Sequence, residues 1–105
     1  MADIMKILQQ AQEMQGRLQQ VQDELAQKTV IAAAGGGMVS VEADGRGQLR
    51  KVSIDPSVVN PADVEMLEDL ILVAVGEAQK KAAALAQEEM GKLAGGLQLP
   101  FKLPF

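Results

Sequence analysis

Seven apolar residues, Ile4, Ile7, Ala11, Met14, Leu18, Val21 and Leu25, follow one another at alternating spacings of three and four. That is the a/d seam of a heptad repeat, and it predicts one helix over residues 3–28. The residues between seam positions are mostly glutamine and charged side chains. Gly16 is the one weak helical position. The stripe is narrower than the face a globular helix usually buries, which favours a partner helix (a coiled coil) over packing within its own domain.

Residues 29–54 carry a different pattern. Thr29-Val30-Ile31 is β-branched, and Gly35-Gly36-Gly37 breaks the chain between two strand-like runs. Val39, Val41 and Ala43 alternate with Ser40 and Glu42. Asp44-Gly45 then signals a hairpin whose type I′ turn wants left-handed backbone at both central residues. Gln48 to Ile54 is the return strand, so the economical sheet is a three-stranded antiparallel meander. Asp55-Pro56 ends it. Asn60 as N-cap and Pro61 at the first helical position predict a second helix over 61–94, stopped by Gly95-Gly96. Its stripe, Val64, Leu67, Ile71, Ala74, Ala78, Ala82 and Leu85, shrinks to alanine along its length and permits close approach of another helix. Residues 97–105 repeat Leu-Pro-Phe and read either as a frayed end or as an apolar plug for a neighbouring subunit. The domain is expected to be 1–96, with 97–105 as a C-terminal tail.

Lengths decide the quaternary expectation. The helices would be about 39 and about 50 Å long, whereas short strands run only about 20 Å. One small sheet cannot cover both helices. Burial against a second copy is the cheapest solution, so a homodimer is expected.

Composition removes most chemistry. The 105 residues include no Cys, His, Trp or Tyr. That excludes disulfides, thiolate zinc sites, cysteine nucleophiles and imidazole acid–base catalysis. Ser40, Ser53, Ser57 and Thr29 have no base of suitable pKa. The triple glycine lacks the Lys-Ser or Lys-Thr of a phosphate-binding loop. Glu68-Asp69 points two ways on a helix and makes no metal site. No catalytic residue, cofactor, metal or small-molecule substrate is expected, and the chain does not read as an enzyme. Hydrophobic residues at 48% argue against a disordered polymer. The longest apolar run, Leu70 to Val75, is too short for a bilayer, and the first residues lack a secretory pattern. The expected location is cytoplasmic, with no membrane partner.

Basic residues are the remaining candidates. Lys6, Arg17 and Lys28 recur every 11 residues, close to three helical turns, so they line one side of the helix in steps of about 16 Å. Lys80 and Lys81 form the basic pair of the second helix, and Arg46, Arg50 and Lys51 cluster near the hairpin. On residue physics alone, i,i+3 and i,i+4 pairs (Asp3–Lys6, Glu13–Arg17, Glu24–Lys28, Glu77–Lys81) make a solvated, self-paired surface the stronger reading over a phosphate-binding one. A formal net charge of −4 also weighs against nonspecific DNA binding.

The ordered set Val39-Ser40-Val41-Glu42-Ala43-Asp44-Gly45-Arg46-Gly47, Val52-Ser53-Ile54-Asp55 and Leu67-Glu68-Asp69-Leu70-Ile71, with Ala74, Ala78 and Lys81, resembles the YbaB/EbfC family of bacterial nucleoid-associated proteins. The resemblance covers almost the whole chain. It implies an α+β, α-β-β-β-α subunit, a tweezer-like homodimer, and a nucleoid location. It also implies binding of double-stranded DNA, with effects on DNA conformation, nucleoid organisation and gene expression. Lys81 stands at the family's usual lysine position; Lys6, Arg17, Lys28 and Lys80 are candidates from geometry. Binding would rest on phosphate contacts, since the folded segments carry no aromatic residue for base stacking. The alternative is a coiled-coil interaction or prefoldin-like chaperone module that binds clients and no DNA; a duplex titration separates the two.

Overall fold

The computed structural model describes residues 2–96, and the expectations for the 97–105 tail lie outside the described residues. The order is α1 (Ala2–Gln27), β1 (Thr29–Ala34), β2 (Val39–Asp44), β3 (Leu49–Ile54), a 3-10 turn at Pro56–Val58 and α2 (Val64–Gly96). This is the α-β-β-β-α architecture expected from the sequence. The sheet is antiparallel in the order β1-β2-β3. The molecule measures 72 × 22 × 16 Å, because the helices outrun the sheet. No helix among the described residues is long and apolar enough to cross a membrane.

Alternation builds the core. Ala32 and Ala34 of β1 and Val39, Val41 and Ala43 of β2 are buried together with Ala74 and Ala78 of α2. The alanines repeat every four residues, one turn apart, and their lack of bulk lets α2 lie close on the sheet. Leu67, Leu70, Ile71 and Val75 pack round this contact, and Val58 closes one end. α2 packs on β1 and β2. β3 is exposed along its whole length. Val52 pairs with Val41 and Ile54 with Val39, so both share the core-side face yet stay exposed there.

Only the later part of the α1 seam finds a partner. Leu25 is fully buried, and Met14, Leu18 and Val21 are partly so. Ile4, Ile7 and Ala11 remain exposed.

Two turns differ from expectation, the hairpin loop and the entry to α2. Asp44-Gly45 does not form a type I′ turn: the left-handed residue is Gly47, at φ 87°. The Asp44 N–H donates to Gln48 O at 2.9 Å and the Gly47 N–H to Asp44 O at 3.0 Å, which closes a three-residue loop ending in one left-handed residue. Gly45 is needed for another reason. Its N–H donates to Leu25 O at 2.8 Å, and a Cβ there would lie 2.7 Å from that oxygen. The triple glycine forms a defined turn, with φ of 62°, 66° and 96° at Gly35, Gly36 and Gly37, a run that side chains would strain.

The second helix begins later than Asn60-Pro61 suggests. Asn60 Oδ1 accepts from Ala62 N at 3.0 Å, and Asn60 O accepts from Asp63 N at 2.9 Å. These bonds make a turn. Asp63 takes the capping position instead, accepting from Met66 N at 3.2 Å. At its other end α2 continues through Gly95 to Gly96.

The two glycines give opposite predictions. Gly45→Ala drives a Cβ into rigid backbone and should cost about 2 kcal/mol or more. Gly16 has open space around it, so Gly16→Ala should add up to about 1 kcal/mol through helix propensity alone. Urea unfolding of both variants checks the contrast.

Candidate nucleic-acid interface

Two elements set the direction of the arms. α1 stops where its last turn meets the β2–β3 loop, and α2 runs back alongside it. A cleft between them is lined by Leu25, Gly45, Arg46, Ala82 and Ala86. Further out, Arg17, Val21, Lys92 and Leu93 line one groove. The helices therefore run antiparallel, with residue 25 near 82–86 and residues 17–21 near 92–93.

Asp44 anchors the junction. It is 2% exposed, and its Oδ1 accepts from Arg46 N at 2.9 Å and Gln48 N at 3.0 Å. Its Oδ2 pairs with the Arg50 guanidinium at 3.0 Å. Burial opposes ionisation of this carboxyl, but the amides of Gln48 and Arg46 and the Arg50 side chain outweigh it, and the pKa falls below its ordinary value. Arg50 is thus engaged within the subunit.

The expected basic line is divided by its contacts. Lys28 reaches across to α2 and pairs with Glu89 at 2.8 Å. This hydrogen bond raises the lysine pKa and lowers that of Glu89, against the penalty of burial. Lys81 donates to Ile31 O of edge strand β1 at 2.7 Å. Lys80 is exposed and lies 4.0 Å from Glu77. Lys6 and Arg17 have no ion-pair partner among the described residues. Two of the expected helix pairs are replaced by others: Lys28 takes Glu89 rather than Glu24, and Glu77 takes Lys80 rather than Lys81.

Lys92 was not among the candidates, yet it lines the groove with Arg17. It sits 11 residues beyond Lys81, the same spacing that picked out the α1 line. It approaches Glu89 at 3.6 Å and Glu88 at 3.8 Å.

Charge is unevenly divided along the chain. Residues 1–28 and 80–96, which form the arms, carry six basic and six acidic side chains. Residues 29–79, the sheet and the α2 half that packs on it, carry three basic and eight acidic ones. The negative balance belongs to the body, and the arms are neutral. Among the described residues, no group of three or more acidic side chains is placed to hold a metal ion.

The sequence profile of the YbaB/EbfC DNA-binding family matches residues 1–97. A nucleoid-associated protein of Gemmatimonas aurantiaca is 57% identical over 103 residues, spanning 98% of this chain and 99% of that protein. One from Syntrophobacter fumaroxidans is 48% identical over 98 residues, spanning 92% and 89%. In fold, the chain is similar to the crystal structure of an uncharacterized Helicobacter pylori protein. The TM-score is 0.70 at 24% identity, over 87% of this chain and 91% of that one.

The Lys28–Glu89 pair predicts an acid-side dependence. Glu89 has a folded pKa below its ordinary 4.5, so its contribution is complete above that value and is lost as pH falls through the folded one. Glu89→Gln should lower the melting temperature at neutral pH, and the gap from the unsubstituted chain should close under strongly acidic conditions. Thermal melts across that pH range give the comparison.

Proposed function

The chain belongs to the YbaB/EbfC DNA-binding family, and from that premise we propose that it grips duplex DNA as a homodimer through phosphate contacts made by its arms. The observation that carries this reading is the division of charge. A phosphate backbone is repelled by the acidic body, while arms of balanced charge can turn their bases toward it. Screening over about 8 Å at physiological salt makes the local surface count for more than the total.

Geometry supports the same surface. Lys6 to Lys28 spans about 33 Å of helix, near the length of one turn of the duplex. Lys6 and Arg17 are the α1 bases with no internal ion pair among the described residues, and Lys80 and Lys92 offer exposed ammonium groups on α2. Lys28 and Lys81 contribute less directly, because each already holds a neighbouring element. No aromatic residue stands on the arms, so contact is with backbone rather than with bases, and sequence preference is weak.

The dimer forms through the core-side face of β3. Leu49, Val52 and Ile54 are exposed there, beside a sheet face that α2 covers over β1 and β2. A two-fold contact hides these residues and leaves paired arms projecting outward. Two arms set apart in this way can bend one duplex or bridge two. The protein then acts in the nucleoid as an architectural factor without catalysis, and it influences gene expression through DNA conformation.

Fluorescence anisotropy with a short duplex tests the interface. Lys6→Gln combined with Arg17→Gln should weaken binding at least about tenfold, whereas Lys51→Gln on β3 should change it little. Equal affinity of the arm variant and the unsubstituted chain would remove the arms from the account. Val52→Asp, followed by sedimentation, should convert dimer to monomer.

A further inference from the structure

The first turns of α1 carry an apolar face wider than the heptad seam. Ile4, Met5, Ile7 and Leu8 are 60%, 70%, 63% and 56% exposed. At about 100° per residue, Ile7, Ala11, Ile4 and Leu8 fall within about 100° of arc, and Met5 extends it by about 60°. Lys6 and Glu13 lie on the other side. Nothing among the described residues covers this face, and the β3 surface used for dimerisation lies at the body of the molecule.

The path of α2 indicates what does. Leu93 lies in the groove with Arg17 and Val21, and the helices run antiparallel. At Gly96, α2 therefore ends beside about residue 14 of α1, where the bare face begins. The residues that follow are Leu97, Gln98, Leu99, Pro100, Phe101, Lys102, Leu103, Pro104 and Phe105. Every odd position is a large apolar residue, and every even one is Gln, Pro or Lys. The residues before Pro100 and Pro104 are biased to extended backbone, in which alternate side chains share one side.

We propose that residues 97–102 dock along the Ile4–Met5–Ile7–Leu8 face of the same chain's α1, with Leu99 and Phe101 as the apolar anchors. The distance from residue 14 back to residue 4 is about 15 Å along the helix, and the five extended residues to Phe101 reach about 17 Å. The tether keeps the segment at millimolar effective concentration, on the order of 10⁻³ M, which favours it over a second copy or another protein. Gln98 and Lys102 stay on the outer side of the strip, so docking adds one cation to the arm. The docking is independent of DNA binding.

The chain has no cysteine, so engineered pairs report directly. Leu8→Cys lies on the face, and Leu99→Cys sits on the inner side of the strip beside it. In dilute protein this pair should form a disulfide within one chain at least about tenfold faster than a control pair, Lys51→Cys with Leu99→Cys. Phe101→Ser should bring the rate down to the control. Mass spectrometry separates links within a chain from links between chains. Equal rates for the two pairs would overturn the proposal, as would a fast rate indifferent to Phe101. A link formed between chains would also overturn it and make the neighbouring subunit the host.

Discussion

The arrangement depends on the passage of Gly45 beneath the last turn of α1. Its N–H is shared between Leu25 O at 2.8 Å and Lys28 O at 3.2 Å, two carbonyls at the end of the helix. A side chain at position 45 would push the helix away. Asp44, next along the chain, holds the loop in shape with two amides and a guanidinium. Leu25 fills the angle between the loop and α2. Together these contacts turn α1 back along α2, and Lys28–Glu89 bolts the two helices just beyond the bend. Without the junction, the heptad seam would have no fixed direction.

That junction has an electrostatic consequence. It divides an acidic chain into a body that holds the whole negative balance and arms that hold none. The fold thereby lets a protein of net charge −4 present neutral, lysine-bearing surfaces at a distance from its net acidic body. Family membership says that the chain belongs with DNA-binding proteins; the division of charge is the ground for proposing that the arms approach a polyanion. Asp63, Glu65, Glu68 and Asp69 cluster at the start of α2, 11 or more residues before Lys80 and Lys81.

Local patterns carried the architecture. The alternation of Val39, Val41 and Ala43, the alanines at 74, 78 and 82, and the change between helical and strand periods all reflect burial, which sequence records directly. What was hidden depends on residues far apart in the chain. Asp44 reads as an exposed turn residue because nothing in the local pattern reveals that its side chain is buried, 2% exposed, against Arg50. Glu24 is the obvious partner for Lys28 by spacing, but the one it takes, Glu89, is 61 residues away. Asn60 and Asp63 are both good caps, and the choice rests on a turn that Asn60 makes with Ala62. Lys92 was within reach, since it repeats the spacing of 11 after Lys81.

The central claim is that the arms meet DNA through phosphates. The slope of log binding constant against log salt, taken from about 50 to about 200 mM with a random-sequence duplex, measures this most directly. Lys6 and Arg17 of both subunits, four bases per dimer, predict a slope of about −3.6, and engagement of Lys80 and Lys92 a steeper one. A binding constant that stays flat across that range would contradict the account, whatever its magnitude.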